Sequence, residues 1–252
     1  MKLGKRLKQI DSMVQAEEYS HIWDCCCDHG FLGMNLLRRQ AAPHIHFVDI
    51  VPELINPLTD QLNKFFPVRS DDLHKEQNKE QSTWQTHCLD SAQLPLQQYS
   101  GKQLVIIAGV GGDLTIQFIQ DIVQKHPNLE IDFLLCPVRR LYELRQALIA
   151  MKMGLIAEVL VKENNQFYEI LLLASADNSV SSHNSVSSHN SKPLHKPISP
   201  TGDLLWQGET QEALQVAKEY LDKTLSHYKR MQQALNRPEV DRIVQDYEKI
   251  NL

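Results

Sequence analysis

Three carboxylates stand at or just after the ends of three apolar runs in the first ninety residues. Asp24 closes the short run that begins at Ile22, Asp49 closes the run over 44–50, and Asp90 follows the run over 83–88. If these runs are neighbouring parallel strands, the carboxylates meet at the edge where open α/β sheets bind ligands. A carboxylate at the second strand accepts hydrogen bonds from ribose hydroxyls, and one near the third accepts from an adenine amino group. The pattern favours an adenosine-containing ligand.

The turn after the first run supplies further polar groups. Asp24 and the peptide groups around Cys26 and Gly30, through their carbonyl oxygens, are suited to hold an ammonium group, directly or through water. The alternative is that these aspartates only stabilise turns and cap helices. For one aspartate alone that alternative is the better explanation, but three in register favour a ligand.

The glycines of a dinucleotide site are missing. Gly-x-Gly-x-x-Gly lets the backbone approach a pyrophosphate, whereas here cysteines take those places and only Gly30 remains. S-adenosylmethionine has no phosphate and needs the tight turn less. We therefore expect that cofactor, with Ala108 and Gly109 after the fourth apolar run also contacting it, and we disfavour a nicotinamide-dependent oxidoreductase.

Five cysteines, three of them consecutive at 25–27, do not form a disulfide framework. With His29, His87 and Cys88 they offer soft ligands for zinc. Consecutive residues of a strand point to alternate faces, however, and no Cys-x-x-Cys pair exists. The sequence predicts no metal site.

The elements that position these residues follow from hydrophobic periodicity. Helices are predicted over 3–14, 31–39, 53–66, 112–125 and 139–153, and strands over 22–26, 44–50, 83–88, 104–108, 132–136, 155–161 and 167–174. Five strands alternating with helices imply a parallel sheet with right-handed crossovers. Two asparagines between the last two strands predict a hairpin, and so an antiparallel strand. The result is an α/β fold with the Rossmann-like seven-stranded sheet typical of class I methyltransferases, followed by a C-terminal α-helical hairpin.

Three segments are expected along the chain. Residues 1–176 form the Rossmann-like domain that binds S-adenosylmethionine. Residues 177–205, with Asn-Ser-Val-Ser-Ser-His twice in tandem, form a flexible linker. Residues 206–252 carry two apolar stripes separated by Pro238, which predicts a coiled-coil-like helical hairpin.

Composition excludes several classes of protein. The 252 residues include 42% hydrophobic and 23% charged residues, as in a globular protein, and no run approaches the roughly 20 apolar residues of a membrane span. The basic N-terminus lacks the apolar core of a signal peptide, so we expect a cytoplasmic protein without membrane association or an obligate protein partner. A net charge of -5 means that nucleic acid must bind to a local basic patch.

Four segments resemble one family, the bacterial tRNA (adenine-22-N1) methyltransferases. They are Leu3–Leu7, DCCCDHGFL from Asp24, IAGVGG from Ile107, and Phe167-Tyr168-Glu169. That family has a Lys-Arg-Leu start, Asp-x-Gly-x-Asp-His-x-Tyr-Leu, Ala-Gly-Met-Gly-Gly, a Tyr-Glu in its last strand and a helical C-terminal domain. Here Cys26 replaces a glycine, Val110 a methionine, and Cys136-Pro137-Val138 the family's Gln-Pro-Asn.

The resemblance implies an S-adenosylmethionine-dependent enzyme that methylates N1 of an adenine in tRNA. N1 carries no proton at neutral pH, so catalysis depends on positioning and electrostatics rather than on a strong base. Asp28 and His29 are the expected catalytic contacts. Lys5, Arg6, Gly111, Arg139 and Arg140 are the expected substrate contacts, and Arg145 is a further basic candidate. Alternatives are a methyltransferase for a small molecule or protein, and an RNA-binding relative whose catalysis is impaired by the missing asparagine.

Overall fold

A single seven-stranded sheet forms the centre of the fold. The structure is a computed structural model, which describes residues 3–67, 82–175, 195–208, 210–235 and 237–252. The strand order is β3-β2-β1-β4-β5-β7-β6. The strands are β1 (His21–Cys25), β2 (His44–Asp49), β3 (Thr83–Cys88), β4 (Gln103–Ala108), β5 (Ile131–Cys136), β6 (Gly154–Glu163) and β7 (Gln166–Ala174). The first five are parallel, and β7 is antiparallel to both of its neighbours.

Helices cover both faces of this sheet. They are α1 (Lys5–Met13), α2 (Phe31–Arg38), α3 (Pro52–Phe65), α4 (Gly112–Lys125), α5 (Leu141–Ala150), α6 (Gln211–Leu235) and α7 (Pro238–Glu248). α1, α2 and α3 contribute to the core on one face, and α4 and α5 to the core on the other. Residues 104–107 of β4 are fully buried between the two layers, as a continuous apolar run predicts.

The predicted elements are present, and the fold class is confirmed. The largest shift is in α5, which begins at Leu141 rather than 139 and ends at Ala150 rather than 153. Asn164 and Asn165 adopt φ of 49° and 60°, the left-handed values of a tight hairpin turn. The hairpin therefore sets the antiparallel edge as expected. Among the described helices, none combines the length and apolar character needed to cross a bilayer.

The segment expected to link sheet and tail is packed where the structure describes it. Residues 195–205 differ from the predicted flexible linker, because Lys196 bridges to Leu155 of β6 and Ile198 and Leu205 are buried. The tandem repeat lies outside the described residues. The start of the tail at 206 as a unit of its own stays a prediction.

The two tail helices pack on the sheet domain as well as on each other. Trp206, Tyr220 and Tyr247 form one apolar cluster with Tyr142 of α5, against which Phe167 of β7 packs. The Tyr142 hydroxyl donates a hydrogen bond to Asp246 of α7 at 2.7 Å. The apolar stripes predicted from the sequence thus also cover one end of the sheet.

A buried ionic network lies beneath this cluster. Arg145 of α5 is 0% exposed, so it is not the surface cation that the sequence suggested. Its guanidinium donates to Glu158 at 2.7 Å and to Glu169 at 2.8 Å. The Tyr220 hydroxyl donates to the other oxygen of Glu169 at 2.5 Å. Burial by itself lowers the pKa of Arg145, but the charges of the two glutamates outweigh it and raise that pKa.

We predict that Tyr220→Phe lowers the free energy of unfolding by about 1–3 kcal/mol, because Glu169 loses a buried donor. Arg145→Met should cost about 3–5 kcal/mol, because two buried carboxylates lose their cation. Urea unfolding at pH 7 measures both. Tyr228→Phe is the matched control, since that hydroxyl of α6 has no hydrogen-bond partner among the described residues. Equal stability of the three variants would contradict the role given to the network.

Candidate active site

A cleft of about 290 Å³ opens at the carboxyl ends of β1 and β4. It brings together predicted residues from three separate segments. Its walls include Arg6 of α1, Asp24, Cys26, Asp28 and His29 of the first strand and its loop, and Ala108 and Gly109 after β4. This is the sheet edge at which the sequence placed a ligand.

The first loop adopts a backbone that normally calls for glycine. Cys26 and Asp28 have φ of 54° and 51°, in the left-handed region, and Gly30 has 67°. Only Gly30 is free of the steric cost this imposes on other residues. A Cβ on Gly30 would also lie 2.6 Å from a methyl carbon of Leu58. The Cys27 amide donates to the Val48 carbonyl at 3.1 Å, which fixes the loop to β2.

Asp49 ties the end of β2 to this loop. One of its carboxylate oxygens accepts from the Asp28 amide and the other from the Val51 amide, each at 3.1 Å. The side chain therefore does stabilise a turn, as the alternative explanation held. Each carboxylate oxygen has two lone pairs, so both also retain the capacity to accept from a ligand hydroxyl.

Asp24 lies deeper in the cleft wall, within β1 rather than after it. Its carboxylate accepts from the Gly33 amide of α2 at 2.9 Å. Burial raises the pKa of Asp24 to about 7, the Gly33 hydrogen bond opposes this shift, and the nearby charge of Asp49 adds to it. The group is thus poised to change protonation near neutral pH, or to be held ionised by a bound cation.

Asp90 and an unpredicted residue, Ile50, stand on the neighbouring strand ends. Asp90 is exposed and accepts from the Ala92 amide at 3.0 Å. Ile50 follows Asp49 and is 65% exposed, an unusual state for an isoleucine at a strand end. The sequence offered one signal for Ile50, its position directly after the second carboxylate. It provides an apolar surface next to the carboxylate suited to a ribose.

The mouth of the cleft carries Asp28 and His29. Both side chains are more than half exposed, and the His29 Nε2 lies 3.5 Å from a carboxylate oxygen of Asp28. Both side chains line the cleft and are open to solvent, so a substrate bound there would displace water from them. This position fits groups that contact reacting atoms.

Basic residues surround the outer side of the same edge. Arg139 is exposed beside Gly111, where a Cβ would lie 3.0 Å from its Nε. Arg140 pairs with Asp113 at 2.9 Å and with Glu143 at 3.5 Å, which reduces its free charge. Lys5 is exposed, and its backbone amide donates to Glu163. The cleft walls do not include these three basic residues or Gly111.

Thiols and imidazoles elsewhere in the sheet do not gather into a metal site. All five cysteines are free thiols. His46 lies 3.0 Å from His21 on one side and from His87 on the other, in a buried hydrogen-bonded row that stacks on Trp23. Burial lowers the pKa of His21 to about 4 and that of His46 to about 2. Among the described residues no three ligating side chains are arranged to hold a metal ion.

Comparisons with known proteins agree with this fold. The family model described as "Methyltransferase domain" matches residues 3–171. An uncharacterised protein of Listeria monocytogenes is 17% identical, with a TM-score of 0.69 and 98% of each chain covered. Streptococcus pneumoniae Sp1610, titled a putative tRNA (m1A22) methyltransferase, is 16% identical, with a TM-score of 0.68 and coverage of 98% and 99%.

A third solved structure is TrmK of M. capricolum, in complex with S-adenosyl-homocysteine. It is 14% identical, with a TM-score of 0.64 and coverage of 99% of this chain and 97% of that one. A search of curated protein sequences gave no match. At these identities the solved structures show a shared fold over nearly the whole chain.

We predict that Asp24→Asn changes how stability depends on pH. The folded-state pKa is about 7 against an ordinary 3.8, so the folded protein keeps a proton that the unfolded chain has lost. Wild-type stability therefore falls relative to the variant as pH rises from about 4 to 7, by on the order of 2 kcal/mol between pH 5 and 8. Urea unfolding at both pH values measures this. Asp60→Asn on the exposed side of α3 is the control. Parallel curves for Asp24→Asn and wild type would contradict the prediction.

A second prediction concerns the left-handed loop. At position 26 the glycine variant should be more stable than the alanine variant by about 1 kcal/mol, because only glycine avoids the left-handed strain. At Cys25, which lies in β1, the order should reverse. Thermal unfolding of Cys26→Gly, Cys26→Ala, Cys25→Gly and Cys25→Ala tests the pair. The same order at both positions would show that the loop conformation is not strained.

Proposed function

Because the chain belongs to the methyltransferase-domain family, we propose that it binds S-adenosylmethionine in this cleft and methylates N1 of an adenine in tRNA. The observation that carries the proposal is the cleft at the carboxyl ends of β1 and β4, which is lined by Asp24, Cys26 and Asp28 and whose first loop is bound to Asp49 at the end of β2. Two proteins that share the fold support the same substrate: Sp1610 is described as a putative tRNA (m1A22) methyltransferase, and B. subtilis TrmK as an M1A22 tRNA methyltransferase.

The residues present fit this cofactor. Asp49 would accept hydrogen bonds from the ribose hydroxyls, and the exposed Ile50 would contact the adenine ring. Asp90 would accept from the adenine amino group, and Asp24 would hold the ammonium of the methionine part. Ala108 and Gly109 place little side-chain volume in the cleft, which leaves room along its floor. The Streptococcus pneumoniae protein was also crystallised with S-adenosyl-L-methionine.

S-adenosylmethionine supplies a methyl group on a positively charged sulfur. The adenine N1 that accepts it uses a lone pair and loses no proton, so the chain needs no strong base. As the ring becomes positively charged, a carboxylate near it stabilises that charge. Asp28 is placed for this role, with His29 beside it to contact the base. The backbone amides of Gly109 and Val110, which line the cleft, would lie beside the ring.

The adenine must leave the tRNA stack to enter such a cleft. Lys5 and Arg139 provide exposed cations near the mouth for the phosphates, and Arg140 adds less because it is paired with carboxylates. In the described part of the tail, basic side chains alternate with acidic ones, as in the Lys229–Glu248 pair at 2.7 Å. We therefore assign the main tRNA contacts to the sheet domain and a supporting role to the tail. A tRNA substrate implies a cytoplasmic protein.

The direct test is incubation of the protein with unmodified tRNA and labelled cofactor, followed by mass spectrometry of the nucleosides. We expect 1-methyladenosine as the product. Transfer to protein or to small molecules from a cell extract, with none to tRNA, would favour the alternative substrate classes. Cofactor binding without any transfer would indicate an impaired relative.

We predict that Asp49→Ala weakens S-adenosylmethionine binding about ten- to hundredfold in calorimetry, the cost of a lost buried acceptor. The affinity of Asp49→Asn should lie between those of Asp49→Ala and wild type, because the oxygen of its side-chain amide still accepts hydrogen bonds. Asp60→Ala should bind as wild type does. Full affinity in Asp49→Ala would refute the ribose assignment.

A further inference from the structure

Arg6 lies inside the cleft and is held there from three sides. Its guanidinium carbon stands 5.1 Å above the ring centre of Tyr168. The guanidinium also acts on the thiol of Cys136. Burial raises the pKa of that thiol to about 11, and the charge of Arg6 opposes the rise. A Cβ built on Gly109 would lie 3.8 Å from an Arg6 nitrogen, in ordinary contact. These contacts fix the position of the charge but do not neutralise it.

No carboxylate of the described residues pairs with Arg6. Other partly or fully buried arginines here do have one: Arg39 binds Asp11 at 2.9 Å and Arg145 binds two glutamates. A half-buried guanidinium on an aromatic ring retains donors in a planar fork that matches a carboxylate. The N–H donors that Arg6 retains therefore favour an anionic ligand in the cleft.

The surroundings decide between two anions, the carboxylate of an amino acid and the phosphate of RNA. Asp24 and Asp28 line the same cleft, and Asp49 contacts its loop. These carboxylates repel a phosphodiester but attract an ammonium group. An α-amino acid carries an ammonium and a carboxylate on one carbon, so it suits a cleft with aspartates and one guanidinium.

We propose that Arg6 binds the carboxylate of the methionine part of S-adenosylmethionine. This reassigns Arg6 from the RNA contacts expected from the sequence, and it rests on the cofactor proposed above. Asp24 then serves the ammonium, so the two charges of the amino acid group are matched by one residue each. Arg6 acts as a cofactor-binding residue supplied by a helix that precedes the first strand.

α1 is itself fixed, which prepares Arg6 for this role. Ile10 of the helix is fully buried, and the helix end is tied by Arg39, which donates to Asp11 and to the Val14 carbonyl at 2.8–2.9 Å. At its other end the Lys5 amide binds Glu163 of β6. A cation held in place before the ligand arrives loses less conformational freedom on binding.

The test compares two ligands, S-adenosylmethionine and its decarboxylated form, which keeps the sulfonium and the ammonium. Calorimetry is done with wild type, Arg6→Gln, Arg6→Lys and, as a matched control on the same helix, Lys8→Gln. Arg6→Gln should weaken S-adenosylmethionine binding about ten- to hundredfold and leave the decarboxylated ligand unchanged or slightly tighter. Arg6→Lys should recover part of the loss, and Lys8→Gln should match wild type.

Three results would overturn the proposal. An equal loss for both ligands in Arg6→Gln and Arg6→Lys would mean that Arg6 only packs the cleft wall. Unchanged cofactor binding with weaker tRNA binding and a shallower salt dependence would assign Arg6 to a phosphate. Wild type that binds neither ligand would reject the cofactor itself, and so the proposed function, which the first two results would leave intact.

Discussion

The guanidinium of Arg145 holds two glutamates of the sheet's antiparallel edge at a depth that water does not reach. A buried carboxylate without a partner is so costly that β6, β7 and α5 must keep the register that brings Glu158 and Glu169 to this cation. The same group donates to the Ser199 carbonyl at 3.2 Å, and Glu158 accepts from the Leu204 amide at 2.7 Å. One interaction therefore fixes the sheet edge and the chain that returns to it. Tyr220 extends it to the first tail helix.

The hairpin also connects this network to the cleft. Tyr168 and Glu169 are consecutive in β7, so their side chains point to opposite faces. Glu169 faces Arg145 and Tyr220, whereas Tyr168 lies beneath Arg6. Glu163, at the end of β6, binds the start of α1. The adjacent pair that the sequence shares with its resembled family thus serves two sites, and a change that shifts β7 would disturb both the tail and the cleft.

Periodicity and strand-end carboxylates predicted the sheet, the hairpin and the wall of the cleft, because those features depend on neighbours in sequence. The Arg145 network could not be predicted in that way, since its members are 11 and 13 residues apart or more and belong to four elements. From the sequence Arg145 was one basic residue among several. Packing also explains the described residues 195–205, whose polar composition suggested a linker but whose few apolar side chains reach the core. The sequence likewise predicts Arg6 as a substrate contact and carries no sign of its position over Tyr168 and near Cys136.

In the first loop, a structural role for the aspartates is compatible with the ligand-binding role proposed for them. Two of its residues, Cys26 and Asp28, adopt left-handed backbone conformations. For a residue other than glycine, each such conformation costs on the order of 1 kcal/mol or more. Such a loop persists only when its surroundings fix it, and here the fixing bonds are Cys27 to Val48 and Asp28 to Asp49. The carboxylate that we propose for the ribose is therefore also a group that holds the loop lining the cleft. Because Asp49 accepts hydrogen bonds from two backbone amides, its carboxylate is held in a fixed position before a ligand binds. The hydrogen bond between Asp28 and Asp49 therefore both holds the strained loop and positions that wall of the cleft.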